Sequence, residues 1–237
     1  MIDEHVFNSR WYGAPAGIVR DPAVLAGPPA DVRTALDRFA FVELRCAPEA
    51  PGTERTHLTR LGFFLADTQI HFRLGLTALR PTPSLDGIAV RWADEAPFTV
   101  DAHAMARFRH ERFQHVPGMT PARLDARYAA WAADLIAAAP ATCARVEQGG
   151  VVQGWFLSER RGPRLRLALA MAAAGATISG LHLYQAACLA YAGRGHTVGE
   201  ASFSVHNTAV LNIYAHLGAR FVGTEDTWLR VNPEMLR

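Results

Sequence analysis

The chain has 237 residues, half of them hydrophobic, and a formal net charge of +2. That is enough apolar material for one large domain or two small ones. The balanced charge, with no long run of one sign, leaves no electrostatic case for nucleic acid or an anionic membrane as partner.

The sequence has no lysine, so every strong cation is arginine. With its many Ala, Gly and Pro residues, this is the composition of a GC-rich bacterial coding sequence. Residues 1–20 hold Asp3, Glu4 and His5 and lack the apolar centre of a secretory signal. The longest apolar stretch, residues 165–174, contains Arg166 and ends at Gly175, too short to span a bilayer. Cys46, Cys143 and Cys188 are odd in number and widely spaced. They read as reduced, structural thiols in a cytoplasmic protein.

In chain order, residues 39–46 read as a strand from their Phe, Val and Leu content. Residues 53–60 read as a short helix with Glu54 in its first turn, closed at Leu61-Gly62. Residues 68–76 alternate and read as a second strand. Pro81, Pro83 and Pro97 punctuate a polar stretch, 81–100, that connects two halves and holds a short strand at 87–92. The expected layout is therefore a smaller α/β half at 1–80, the connection, and a C-terminal domain at 101–237.

In that second part a helix is expected at 102–113. Another is expected at 120–139, where Thr120-Pro121 supplies an N-cap and a proline at the first helical position. Three strands follow at 142–148, 151–160 and 163–172, joined by the turns Gly149-Gly150 and Arg161-Gly162, and so antiparallel. Then come a helix at 180–193, a strand at 197–205, a helix at 208–217 capped by Gly218, and a strand at 220–231. The fold class is α+β with one mixed, mostly antiparallel sheet flanked by helices. Arg60-Leu61-Gly62-Phe63-Phe64 and His216-Leu217-Gly218-Ala219-Arg220-Phe221 each close a helix and open a strand. The first half is therefore either a divergent partial repeat of the second or simply uses a common connection.

The most informative run is Asn207-x-x-Val210-x-x-x-Tyr214-x-x-x-Gly218-Ala219-x-Phe221. It resembles the last helix of the GNAT acyltransferase superfamily, and the strand order before it resembles that family too. The two-part layout is similar to the dTDP-fucosamine acetyltransferase group, on residues 106–109, Pro117, Tyr128-x-x-Trp131, Phe7-Asn8 and Gly13.

The resemblance implies a thioester donor, acetyl-CoA or the phosphopantetheine of an acyl carrier protein, whose arm lies between two splayed strands. It also implies a small amine acceptor, such as an amino sugar or natural-product intermediate, bound between the halves. Tyr214 would be the general acid that protonates the leaving thiolate, and it equally fits the apolar stripe Val210–Tyr214–Leu217. Asn207 would contact the pantetheine, and it also reads as an ordinary N-cap.

For the base, the candidates are Glu159 and Glu200 on the flanking strands and His103, His110 and His115 near the acceptor. Glu159 and His110 are preferred, and solvated or packed histidines are the ordinary reading. His103 and His110 stand seven apart and would share a helix face. Ala172, Gly175, Thr177, Ile178, Ser179 and Gly180 would form the donor site. Arg107, Trp131 and Trp155 would line the acceptor. No metal ligands are spaced to complete a site.

One departure stands out. The family's pyrophosphate loop has Gln or Arg, then Gly-x-Gly/Ala, and here Gly175 and Ile178 replace the first two. Three readings follow: CoA binds with help from an arginine elsewhere, such as Arg194; the donor is a carrier protein; or the module has lost catalysis and only binds a carrier protein or ligand. A homodimer is compatible with the sequence, and a protein amine is a further acceptor class.

Overall fold

A computed structural model describes residues 1–50, 53–105, 110, 112–162 and 164–236. In chain order the elements are β1 (Ile2–Glu4), α1 (Val6–Tyr12), β2 (Ala16–Val19), α2 (Pro29–Leu36), β3 (Phe41–Cys46), α3 (Arg55–Arg60), β4 (Phe63–Gly75) and β5 (Ile88–Trp92). They continue with α4 (Pro121–Ala138), β6 (Cys143–Gln148), β7 (Val151–Arg161), β8 (Arg164–Ala172), α5 (Gly180–Gly193), β9 (Val198–Ser204), α6 (Thr208–His216) and β10 (Arg220–Val231). This is the expected α+β class, with β2/β3 and β8/β9 as parallel pairs amid antiparallel ones.

The elements from α4 to β10 fall within one or two residues of their expected bounds, and Pro163 lies outside the described residues. The turn glycines Gly149, Gly150 and Gly162 all have positive φ, which their hairpins require. β4 begins at Phe63, five residues earlier than expected.

The helix expected at 102–113 is a correction. Residues 102–104 form a turn and Met105 makes a single bridge to Ala173, while 106–109 and 111 lie outside the described residues. The backbone there has other partners. His103 N–H donates to Asp101 Oδ1 at 2.7 Å, and Ala104 C=O accepts from Ala174 N–H at 2.7 Å. An aspartate that bonds its own backbone two residues on favours a turn over a helix.

The chain divides into two compact units, each drawn from separate stretches: Met1–Ile70 with Glu111–Thr120 and Gly223–Arg237, and His71–His110 with Pro121–Val222. In the first, β10 lies beside β3; in the second, β4 lies beside β9. The orders β2-α2-β3-α3-β4 and β8-α5-β9-α6-β10 repeat one pattern, a helix joining two parallel strands and then a helix and strand. Gly62 and Gly218 follow α3 and α6 with φ of 86° and 80°. The two parallel pairs differ. β2 pairs with β3 along its whole length, Ala16↔Phe41 to Val19↔Leu44, whereas β8 pairs with β9 only at Leu165↔Gly199 and Arg166↔Glu200.

The first unit packs Leu25, Leu36, Leu44, Leu58 and Trp228 into its core. A buried charge sits on β3. Glu43 Oε1 accepts from Arg45 Nε at 2.5 Å and from Arg112 Nε at 3.0 Å. Burial would raise the Glu43 pKa, but Arg112 and Arg45 outweigh it and hold the carboxyl down at about 2. A carboxyl whose folded pKa is depressed adds stability above its unfolded pKa of about 4.3, and that stability fades as pH falls towards 2. Glu43→Ala therefore costs about 3 kcal/mol in urea unfolding at pH 7, because it removes the buried carboxylate that Arg45 and Arg112 both pair with. The gap between variant and wild type narrows as the pH is lowered from 4.5.

Candidate functional site

The parting of β8 and β9 defines the site, which lies within the second unit. Past Arg166 and Glu200 the two strands share no further register, so a run of β8 from Leu167 to Ala172 turns one edge towards a gap. Its far edge is held by β7, through Leu157↔Leu169 to Gly154↔Ala172. At a strand's rise of about 3.3 Å per residue, the six residues span roughly 20 Å. Ala168, Ala170 and Ala172 are half-buried and alternate with the buried Leu167, Leu169 and Met171, so small side chains line one face of that run. The far end is not open. Ala173 N–H donates to Gln153 C=O on the β7 side, so Ala174 N–H points to the opposite edge, where Ala104 C=O takes it.

Aromatic rings fill the space beside β9. Tyr214 of α6 is 3% exposed, and its ring lies 3.9 Å from Phe72, 5.3 Å from Tyr184 and 6.0 Å from Phe203, centroid to centroid. Burial pushes its pKa well above 10, with Tyr184 adding to the rise. The phenol is therefore neutral across the physiological range, able to donate a proton and not to take one. Asn207 is the N-cap of α6, its Oδ1 accepting from Val210 N–H at 3.2 Å.

After Ala172 the chain turns through residues 173–179 into α5. Ser179 caps that helix, Oγ accepting from His182 N–H at 3.2 Å. The N–H groups of Thr177 and Ile178 point at one oxygen, Oε1 of Gln153, at 2.7 and 3.2 Å; Thr177 Oγ1 donates to it at 3.2 Å. Gln153 is 1% exposed. Gly180 starts the helix close to α6: a Cβ there would lie 3.0 Å from Ile213.

The remaining expected site residues scatter. Glu159 on β7 faces Arg166, with Oε1 accepting from Nη1 at 2.7 Å, near where β8 and β9 part. Glu200 beside it pairs with Arg164 at 3.2 Å. His110 is exposed, its ring 6.5 Å from that of His206 at the end of β9. His103 pairs with Asp101 instead, so the two histidines share no helix face. Trp155 is 4% exposed in a core cluster with Tyr128, Ala132, Leu135 and Met171, and Trp131 is half-buried on α4. Arg107 lies outside the described residues.

Arg194 is corrected. It caps the C-terminal end of α5, a helix length away from the loop, and is bound to Asp94, Glu95 and Ala141 C=O. The three cysteines are free and buried, and burial raises each thiol's pKa. Among the described residues no His, Cys, Asp and Glu group could hold a metal, and no helix is long and apolar enough to cross a membrane.

No protein-family model matches the chain, and no curated protein matches its sequence. Solved structures do match its fold. A GCN5-related N-acetyltransferase from Sphaerobacter thermophilus has a TM-score of 0.52 at 15% identity, covering 81% of this chain and 59% of that one. This chain thus spans under two thirds of that neighbour's length. A tandem GNAT protein from the clavulanic acid biosynthesis pathway gives 0.53 at 13% identity, covering 92% and 76%. A GCN5-related N-acetyltransferase from Kribbella flavida gives 0.54 at 15%, covering 91% and 81%. The chain has the GNAT fold, and the tandem neighbour matches its two-part order.

Sequence reasoning missed Gln153 and His206. The signal for Gln153 was there, a carboxamide inside the apolar strand Val151-Val152-Gln153-Gly154-Trp155-Phe156, since a buried amide needs partners. Its partners lie 24 residues away, beyond what local pattern shows.

Two outcomes are expected. Gly154→Ala would place a Cβ 2.4 Å from the Met171 carbonyl oxygen, so it should lower stability by about 1–3 kcal/mol in thermal or urea melts. In alkaline titration followed at 295 nm, Tyr214→Phe should leave the curve unchanged below about pH 10, the range in which an ordinary phenol begins to ionise.

Proposed function

We propose that the chain is an N-acyltransferase that moves an acyl group from a pantetheine-type thioester to an amine of a small acceptor. The observation that carries this reading is the gap between β8 and β9. Unpaired strand edges favour an extended ligand that supplies hydrogen-bond partners, as a pantetheine arm with its two amides does. The tandem neighbour from a natural-product pathway supports an amine of that kind, or an amino sugar, as acceptor. Acetyl is the acyl group that the named neighbours favour.

In the proposed reaction the neutral amine attacks the thioester carbon, and the carbonyl electron pair moves to oxygen. Collapse of the tetrahedral intermediate re-forms the carbonyl and breaks the C–S bond. The thiolate takes its proton from the Tyr214 phenol, which its high pKa keeps loaded. The amine's extra proton passes to Glu159, directly or through water. Glu159 stands beside Arg166, close to the apex of the gap. His110 fits the base role less well. It lies by His206 at the start of α6, and Tyr214 is about two helical turns, roughly 10 Å, further along that helix. Asn207 would bond the donor's arm with the N–H groups of its own carboxamide while Oδ1 holds the cap. In this reading Trp131 and Trp155 would line the acceptor, a carrier protein is one source of donor, and a homodimer is one assembly.

A second reading, a non-catalytic module that binds a carrier protein or ligand, is favoured only by the loop at 173–179, which lacks the family's usual pattern. Turnover separates the two. With a panel of amines and acetyl-CoA or acetyl-pantetheine, release of free thiol should depend on amine. Tyr214→Phe should lower kcat by about 10²-fold or more, with the fold intact by circular dichroism. Thiol release that ignores Tyr214 would remove its catalytic role, and no release with any amine would favour the binding module.

A further inference from the structure

A diphosphate site at the start of a helix needs backbone N–H groups that converge on one outward point, with a cation nearby. The loop before α5 has the convergence, but the point is already filled. Thr177 and Ile178 aim both amides at Gln153 Oε1, with the Thr177 hydroxyl as a third donor. Ser179 Oγ is engaged by His182 N–H. The run from Ala172 to Gly180 has no charged side chain. Arg194, the sequence's substitute cation, is at the other end of α5 and bound to Asp94 and Glu95. The oxygen held by the amides belongs to a neutral, fully buried carboxamide on β7, so the protein's own side chain stands where a phosphate oxygen would.

We infer that Gln153 is a specificity-determining residue, and that the donor is recognised through its pantetheine arm, with little help from a diphosphate or nucleotide. The fitting donor class is an acyl-pantetheine thioester, such as one tethered to a carrier protein. This rests on the acyl-transfer reading above. The structural basis is separate, since the arm would lie along β8 whereas the phosphate cradle is the loop after it.

The test compares CoA, 4′-phosphopantetheine and pantetheine by calorimetry on the full chain, with adenosine 3′,5′-bisphosphate as competitor. The inference expects the three affinities to agree within about fivefold and the nucleotide to compete poorly. CoA binding about a hundredfold tighter than pantetheine, and displaced by the nucleotide, would overturn it and leave the acyl-transfer reading standing. Binding by none of the three would overturn both. Gln153→Met, nearly the same size, frees the two amides; it should raise CoA affinity about tenfold and leave pantetheine unchanged. Where that variant fails to fold, the amide signals of Thr177 and Ile178 in the native chain decide by NMR. Signals unmoved by CoA support the inference, and shifts of both on CoA addition but not on pantetheine addition overturn it.

Discussion

The second unit depends on one constraint: two parallel strands that pair at Leu165↔Gly199 and Arg166↔Glu200 and then separate. A strand that leaves its neighbour exposes N–H and C=O groups, and each such group left unpaired in a buried place costs about 1–3 kcal/mol. A fold keeps such a gap only if something else meets those groups. Phe72, Tyr184 and Phe203 pack around Tyr214 beside β9, and Tyr184 also meets Phe156 of β7 edge-on at 4.8 Å. β7 holds β8 from the other side, closely enough that Gly154 has no room for a side chain. The opening is thus built into the packing. The first unit shows the contrast. There the corresponding parallel pair is zipped along all of β2, and the charge on β3 is committed to Arg45 and Arg112. The same order of elements serves stability in one unit and an open edge in the other.

Tyr214 shows why the two readings of a residue need not compete. It is a core aromatic by position and a neutral phenol by environment. Packing fixes the ring and burial fixes the protonation state, which are the two things a proton donor to a thiolate requires. Asn207 can combine roles in the proposed reading, since its oxygen caps α6 and its carboxamide N–H groups take no part in that bond. Gln153 works in the opposite sense. Its oxygen satisfies loop amides from inside, which stabilises the loop and also changes what the loop can bind.

Much of the fold was legible where local rules decide. The hairpins at Gly149-Gly150 and Gly162, the cap Asn207, and Gly218 after α6 each carry a signal within a few residues. The short elements β1, α1, β2 and α2 gave no such signal, because three to eight residues offer too few periodic positions. At residues 102–105 the expected helix gives way to a turn and a bridge for a different reason. There Asp101 takes the His103 N–H and Ala174 N–H donates to the Ala104 carbonyl. The site was legible in its motif, Asn207 to Phe221, and illegible in its loop chemistry. The departure at Gly175 and Ile178 could be seen in the sequence, while its consequence lay in a glutamine on another strand.

The most direct test of the account is amide hydrogen exchange along β8 and β9, with and without acetyl-pantetheine. The account predicts added protection at residues 167–172 and on the facing end of β9, with little change at residues 177 and 178. Protection confined to other elements, or none at saturating ligand, would contradict the claim that the gap between these strands is the donor's seat.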